Sequence, residues 1–393
     1  MNFRKLTSLS GNTKVIVLCS LIVLFLVLFF FYRRAAVKND PVVKEFSTVK
    51  VRTLSTDELK KIIPAKIDSV VALFGVKKEW IKEDGTVAEQ DKQKSKKDKT
   101  KKPVPPQMPN LWFFREISIP KDVPAVEINY EISNSLYELD FDCAGNEDPK
   151  NGNLLLNIYN KKDSSKKTMA AVQFVYTDKV KRDAADVCLI LDRVEDISQG
   201  NLEEVLKSPE KFSVVLPDIV DKIDAQTIVL DSKRDYLLFM NIGTDEDLTA
   251  EFKNDMREKE WKSKVRSVCY EYDKAAGVIV LNPKKIFPLG SDILTEFGLY
   301  NLKAYRDTVL IKFNSEETGK RKIDALFNDI NVRTQKGGRS MIYLVSVTAD
   351  EFKNYKEEIF KLKRKGFKFF TFTEIIRRRQ KNPETEIKQE ITG

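Results

Sequence analysis

From residue 184 onward, short continuous apolar runs alternate with amphipathic segments. Continuous apolar runs are typical of strands that are buried on both faces of a parallel sheet, and the segments between them predict covering helices. The pattern therefore predicts an α/β domain over residues 184–380, either a (β/α) barrel or a doubly wound sheet, which periodicity does not distinguish. The runs are VCLIL (187–191), FSVVL (212–216), TIVL (227–230), YLLFM (236–240), GVIVL (277–281), TVLIKF (308–313), IYLVSV (342–347) and FKFFTF (367–372).

The clearest predicted helix covers residues 350–365. Thr348 and Glu351 fit a capping box, and Gly366 lies where the helix should end. Its apolar stripe consists of Phe352, Tyr355, Ile359 and Leu362.

Residues 15–32 form an uncharged apolar run, VIVLCSLIVLFLVLFFFY. As a helix this run would be roughly 27 Å long, which is close to the thickness of the hydrocarbon core of a bilayer. Its bulky FFFYRR end favours an uncleaved single transmembrane helix over a cleaved signal peptide. Basic residues are nearly balanced across the run, but the short segment 1–14 favours a cytoplasmic tail. We therefore expect a single-pass protein of the cytoplasmic (inner) membrane with an extracytoplasmic body.

Two segments follow the predicted anchor. Residues 33–81 are predicted to be a helical juxtamembrane segment, with Thr56 as a cap and with Pro64 causing a kink or a division into two short helices. Residues 82–110 are rich in lysine and proline and predict a charged linker. A solvated spacer is favoured there over a lysine-rich site for an anionic glycan or lipid.

Residues 111–178 predict a small α+β module. It begins with the strand-like LWFFREISI, and two further strand-like runs, NLLLNIY (153–159) and AAVQFVY (170–176), predict a hairpin. A helix between the first strand and the hairpin would present Val126, Ile132, Leu136 and Leu139 on one face. The chain ends in a polar tail at residues 381–393.

The composition argues against several kinds of chemistry but does not indicate a particular function. The net charge of +9 arises from 68 basic and 59 acidic residues, too small an excess to indicate a nucleic-acid partner. The four cysteines show no zinc-binding spacing, and pairing of Cys143 with Cys269 stays open. The chain contains no histidine, the usual source of zinc ligands and of general acids.

The order of the runs across residues 185–378 resembles the divergent polysaccharide deacetylase family. The first strand of that family ends in an Asp-Asp pair, where this chain has Asp192 and Arg193 in VCLILDRVED. FSVVLPD keeps the Leu-Pro that commonly ends the second strand, and the closing order of helix, glycine, strand and Thr-Glu-Ile-Ile also fits. The resemblance implies a deacetylase-like (β/α) barrel, preceded here by the small α+β module and the transmembrane helix.

The resemblance also implies histidines that this chain lacks. Their positions correspond to Arg234 and Phe239 in RDYLLFMNI, to Leu281 in GVIVLNP, and to Ser346 and Thr348 in VSVTA. More residues therefore support the fold that the resemblance implies than support the deacetylation reaction.

The active sites of barrels lie at the carboxyl ends of the strands. One carboxylate among amides and hydroxyls is a poor ligand set for zinc, and we expect no metal, no cofactor and no catalytic residue. For Asp192 and Arg193, a structural role as an ion pair or helix cap is favoured over a sugar-binding remnant, and that remnant over catalysis. The candidate cleft residues are Asp192, Arg193, Asn241, Asn282, Ser346 and Thr348.

These observations favour a non-catalytic protein of the bacterial cell envelope that binds glycan or acts as a scaffold, with envelope polysaccharide or envelope proteins as partners. The rival hypothesis is an active N- or O-deacetylase of envelope polysaccharide with a non-histidine metal site. An interaction protein that uses only the module and the anchor is a third possibility. The basic segment from Lys361 to Lys381 is interpreted as a solvated face more readily than as a binding site.

Overall fold

The computed structural model describes residues 54–84, 111–217, 223–244, 246–247, 249–281 and 289–381. The predicted tail 1–14, the predicted span 15–32 and nearly all of the segments 82–110 and 381–393 lie outside these ranges. No helix within them is long and apolar enough to cross a membrane. Contacts divide the chain after Leu59, and everything described below from residue 60 onward belongs to the second unit.

Helix α1 spans Thr56–Leu73 and has Pro64 in its interior. It is one continuous helix, so the division into two short helices was a wrong prediction. Its cap is Ser55 rather than the predicted Thr56: the Ser55 N–H donates to the Glu58 carboxylate at 2.8 Å, and the Glu58 N–H donates to Ser55 Oγ at 3.3 Å. The buried side chains of α1 are Ile63, Ile67, Val70 and Val71.

A five-stranded sheet forms in the order β1-β2-β5-β4-β3 among the described residues. The predicted hairpin is β4–β5, and its strands are antiparallel. Strand β1 pairs antiparallel with β2, so residues 82–84 belong to a sheet and not to the predicted linker. The strands are β1 Ile81–Asp84, β2 Phe114–Ile119, β3 Phe141–Glu147, β4 Leu154–Asn160 and β5 Thr168–Tyr176.

Helix α2, Ala125–Tyr137, connects β2 to β3. Its buried residues are Ala125, Ile128, Ile132 and Leu136. Val126 was wrongly placed on this face, because its side chain is 67% exposed, and Leu139 lies beyond the end of the helix. Residues 128, 132 and 136 recur every four positions, which is the helical repeat that the sequence only partly revealed.

The second sheet has nine strands within the described ranges and is a curled, parallel half-barrel. Its main path runs β11-β10-β8-β7-β6-β13-β12; β9 pairs with β8, and β14 pairs with β6. The molecule is thus a mixed α/β protein with a barrel-like parallel sheet. The strands are β6 Asp186–Asp192, β7 Ser213–Val215, β8 Tyr236–Gly243, β9 Phe252–Lys253, β10 Gly277–Leu281, β11 Ala304–Arg306, β12 Ile311–Lys312, β13 Ser340–Ser346 and β14 Lys368–Phe370.

Helices alternate with these strands, as the sequence pattern predicts. The predicted helix 350–365 is α8, and Thr348 and Glu351 form its capping box. The predicted strand TIVL (227–230) was wrong, because these residues lie in α4. The helices are α3 Gln199–Leu206, α4 Ile223–Asp231, α5 Glu258–Glu271, α6 Leu289–Gly298, α7 Gly319–Gln335, α8 Ala349–Arg364 and α9 Phe372–Lys381.

The two faces of the curled sheet belong to two separate apolar cores. The outer face carries Val187, Leu189 and Leu191 and packs under the helices α3–α8. The inner, concave face carries Cys188 and Ile190 and is covered by α9 through Phe372, Ile375 and Ile376. Because side chains alternate along a strand, successive residues of each strand lie on opposite faces of the sheet.

Strand β6 has an unusual pair of neighbours on one edge. Strand β13 pairs with it along its whole length, from Asp186 to Asp192. On the opposite edge, β14 pairs with residues 186–188 and β7 pairs with residues 190–191. Strands β14 and β7 therefore share that edge, with β14 at the amino-terminal half and β7 at the carboxyl-terminal half.

Candidate functional site

The strand ends bring three of the predicted polar residues to one edge of the concave face. Asp192 pairs with Ser346 at the ends of the neighbouring strands β6 and β13. Asn241 pairs with Leu281 at the ends of β8 and β10. Alternation from the inward-facing Ile190 and Leu344 places Asp192 and Ser346 on the inner face. Both side chains are half-buried, so they border a space that solvent reaches.

No ion pair joins Asp192 to Arg193 among the described residues, and Asp192 is not a helix cap. Arg193 occupies the N-cap position of the short 3-10 helix Val194–Asp196, without a side-chain hydrogen bond to it. The Asp192 carboxylate accepts a hydrogen bond from the backbone N–H of Arg193 at 3.0 Å. Arg193 has a φ of 54°, in the left-handed region, and its side chain is exposed. Non-glycine residues with positive φ are uncommon and cluster at functional sites. This turn directs the chain away from the strand and leaves the Asp192 carboxylate at the edge of the concave face.

Asn241 lies beside a loop that returns to the end of β8. Its amide nitrogen donates to Thr249 Oγ1 at 3.4 Å, and Thr249 Oγ1 donates to Asp247 at 2.8 Å. The backbone N–H of Asn241 donates to the carboxylate of Glu251. A Cβ on Gly243 would come within 2.5–2.7 Å of Asp247 and Ala250, so only glycine permits this close return.

Thr348 has a structural role. Its Oγ1 accepts the Glu351 N–H at 3.2 Å at the start of α8, and its own N–H donates to the Glu351 carboxylate at 2.9 Å. Its prediction as a cleft residue gains no support from this geometry, whereas its predicted capping role is confirmed. Asn282 lies outside the described residues, which end at Leu281 in this region.

Arg234 and Phe239, which correspond to histidines in the resemblance, lie at different places in the structure. Arg234 precedes β8, and its guanidinium donates to the carbonyls of Leu206, Ser208 and Glu210. Its guanidinium carbon lies 4.4 Å from the centre of the Phe212 ring, and burial lowers its pKa. Arg234 therefore holds the loop between α3 and β7, at the end of the strand opposite to Asn241.

Phe239 and Leu344 are part of the site, although the sequence did not single them out as binding residues. Both belong to the inner-face core and remain partly exposed. They lie two residues before Asn241 and Ser346, so they share the face of those polar side chains. This spacing of two residues along each strand was the signal in the sequence that could have identified Phe239 and Leu344. The concave edge thus combines a carboxylate, an amide and a hydroxyl with apolar surface that includes one aromatic ring.

No family model matches the chain, and no curated protein matches it. Among solved structures, the chain is similar to the crystal structure of an uncharacterized protein from Agrobacterium tumefaciens C58. The two are 8% identical, with a TM-score of 0.31, and the match covers 51% of this chain and 91% of the other.

The divalent ion implied by the resemblance to deacetylases does not fit the residues present. In the described part of the chain, no group of three carboxylate or thiol side chains is placed to hold a metal ion, and the sequence has no histidine. Asp192 has an exposed arginine as its neighbour, and a fixed positive charge opposes a bound dication. A borderline-soft ion such as zinc prefers imidazole and thiolate ligands, which this edge does not offer.

The cysteines in the described ranges, Cys143, Cys188 and Cys269, are free. The open question of a Cys143–Cys269 pair is thus answered against a disulfide in this structure. Burial raises the pKa of the Cys143 thiol to about 11, so it stays protonated at neutral pH.

Proposed function

We propose that this chain is a membrane-anchored, extracytoplasmic protein of the bacterial cell envelope. Its curled sheet is proposed to be a divergent polysaccharide deacetylase-like barrel that has lost deacetylase activity. In this proposal the strand-end cluster of Asp192, Asn241 and Ser346 binds glycan, and envelope polysaccharide or envelope proteins are the partners.

The observation that supports binding is the register that sets Asp192 beside Ser346 on the concave face, near partly exposed apolar side chains. Sugars present hydroxyl groups that bind carboxylates and amides, and they present apolar C–H faces that pack against aromatic rings. Phe239 and Leu344 supply apolar surface of that kind. The lack of histidine in the sequence favours binding over zinc-assisted hydrolysis as the proposed role of the same edge.

Binding without turnover is the expected result when the protein is titrated with an N-acetylglucosamine tetrasaccharide. Isothermal titration calorimetry should show binding, and an acetate assay should show no release above a blank. Asp192→Ala should weaken binding about tenfold, because it removes a hydrogen bond to a charged acceptor. Asp231→Ala provides the matched control, since Asp231 is exposed at the end of α4, away from the strand-end cluster.

Two results would contradict this reading. Equal weakening by Asp231→Ala would show that the strand-end cluster is not the binding site. Acetate release that is lost both with a chelator and in Asp192→Asn would establish the rival hypothesis, an active deacetylase.

The body of the protein is expected to be accessible from outside the cytoplasmic membrane. External protease added to intact spheroplasts should digest residues 54–393 and leave a cytoplasmic marker protein whole. The apolar run 15–32 supports a membrane anchor in this proposal. Protection of the body until the spheroplasts are lysed would overturn it.

A further inference from the structure

A second cleft lies at the amino ends of strands β6, β13 and β14. It encloses about 320 Å³, and its walls include Asp186, Ser340 and Lys368, the first residues of those strands. The register pairs Asp186 with both Ser340 and Lys368, so the three residues are immediate neighbours. Asp192 ends β6 at the opposite edge of the sheet. The cleft is therefore separate from the strand-end cluster.

The walls of this cleft are predominantly basic. Of the described residues, four cations line it, Arg339, Lys368, Arg378 and Arg379, together with two carboxylates, Asp122 and Asp186.

Both carboxylates already have arginine partners. Arg378 Nε donates to Asp186 at 2.8 Å, and Arg182 donates to Asp122. Their negative charges are thus compensated within the wall. Among the described residues, Arg339 and Lys368 add positive charge to the cleft beyond these two pairs.

The arginines are held in place before any ligand arrives. Arg379 donates through Nε to Ser340 Oγ and through Nη2 to the Ser340 carbonyl, both at 2.9 Å. Arg339 donates to the Ala184 carbonyl at 3.2 Å, and the Arg378 guanidinium lies 4.6 Å from the centre of the Phe370 ring. A guanidinium has five N–H groups, so the bond to the Ala184 carbonyl uses only part of the donor capacity of Arg339. Fixing the donors in advance lowers the entropic cost of binding.

A buried arginine supports the same wall. The side chain of Arg182 is only 7% exposed, and it donates to the carbonyls of Phe74 and Arg364. Its Nε has no hydrogen-bond acceptor among the described residues. It packs against Gly366, which lines the cleft and has a φ of +100°; a Cβ there would come within 2.6 Å of the guanidinium. The packing of Arg182 against Gly366 therefore fixes the backbone on this side of the cleft.

We propose that this basic cleft binds the phosphate group of a phosphate ester. Phosphate carries up to two negative charges and three acceptor oxygens, which match the fork of N–H groups that arginine presents. A volume of about 320 Å³ equals that of roughly ten water molecules, more than a bare phosphate fills. The remaining space accommodates the alcohol part of the ester. This site is independent of the glycan site proposed above.

The basic segment Lys361–Lys381 thereby acquires a role other than a solvated face. Lys368, Arg378 and Arg379 all belong to it, and all three line the cleft. Arg339, from the turn that precedes β13, completes the set. The fold brings these cations together because β13 and β14 both flank the amino-terminal half of β6.

The test uses the full chain in a neutral detergent, with glycerol 3-phosphate and dihexanoyl-phosphatidylglycerol as the two calorimetric probes. Lys368→Gln and Arg339→Gln should each weaken binding about tenfold, the effect of one lost charge-assisted hydrogen bond. Lys259→Gln is the matched control, because Lys259 is exposed on α5 and its substitution removes the same charge. Thermal melts of all three variants should coincide with the wild-type melt, since the substituted side chains are exposed.

The two probes distinguish the sources of the phosphate. Binding of glycerol 3-phosphate alone identifies a soluble ester, whereas cleft-dependent binding of the phosphatidylglycerol identifies a lipid headgroup. The proposal is overturned if neither probe binds, or if Lys259→Gln weakens binding as much as Lys368→Gln does. The latter result would show attraction to the overall positive charge and no specific site.

Discussion

Replacing Leu237 with alanine is expected to lower the free energy of unfolding by about 2–5 kcal/mol, the range for emptied core positions. Leu237 is fully buried on the inner face of β8, between the sheet and α9. Both transfer of apolar surface and a residual cavity contribute to the loss, because close-packed neighbours relax only partly into the space. Urea denaturation of the wild type and the variant measures the difference.

Leu230→Ala makes the same chemical change on α4, where the side chain is 41% exposed, and it should cost much less. Leu344 is also expected to be less sensitive than its place in an apolar run predicts, because its side chain is only half-buried at the open edge. A loss below about 0.5 kcal/mol for Leu237→Ala would show that the concave face is not a packed core.

Replacing Glu351 with alanine should also destabilise the protein strongly, by about 3–5 kcal/mol, the range for breaking a buried ion pair. The Glu351 carboxylate is buried and binds Lys322 at 3.2 Å, the Gly319 N–H at 2.8 Å and the Thr348 N–H at 2.9 Å. Its removal leaves Lys322, whose side chain is 16% exposed, without its counter-charge. Glu357→Ala, at an exposed position on the same helix, is the matched control.

The contribution of Glu351 should depend on pH. Burial raises the pKa of this carboxyl, but hydrogen bonds from Thr348, Gly319 and Lys322 outweigh burial and hold the pKa below its ordinary value of 4.5. A group with a lowered pKa stabilises the folded state above its unfolded pKa, and that stabilisation is lost as the pH falls through the folded pKa. The stability difference between wild type and Glu351→Gln should therefore be constant above about pH 5.5 and should shrink below pH 4.5. A difference that stays unchanged down to pH 3 would contradict the charged role of Glu351.

The long buried strands could be predicted from the sequence because they are continuous and apolar. β6, β8, β10 and β13 all coincide with predicted runs. TIVL failed because a four-residue apolar run carries no period, and the helix α4 that contains it begins four residues earlier, at Ile223. Strands such as β9 and β11 have two or three residues and depend on neighbours that a local pattern does not reveal.

The candidate site was predictable to the extent that strand ends define it. Asp192, Asn241 and Ser346 follow from the parallel sheet alone. Thr348 was predicted both as a helix cap and as a cleft residue. Its hydrogen bond with the Glu351 N–H supports the role as a cap. The exposure of Phe239 and Leu344 depends on how far α9 fills the concave face, and the basic cleft depends on the pairing of β14 with β6. Both are long-range properties that no local window of sequence contains.

The position of β14 beside β6 has a consequence for the order in which the chain folds. Phe372, just after β14, donates its N–H to Ser213, 159 residues earlier, and Arg378 bonds to Asp186 across 192 residues. The amino-terminal half of β6, the first strand of the curled sheet, is therefore paired on both edges only when nearly the last described segment has arrived. Until then, the apolar inner face of β6 lacks α9 as its cover. Non-local pairing of this kind slows folding and exposes aggregation-prone strand edges. The five-stranded sheet closes within residues 81–176 and can be completed while the rest is still emerging, which makes it the natural early-folding part of the chain.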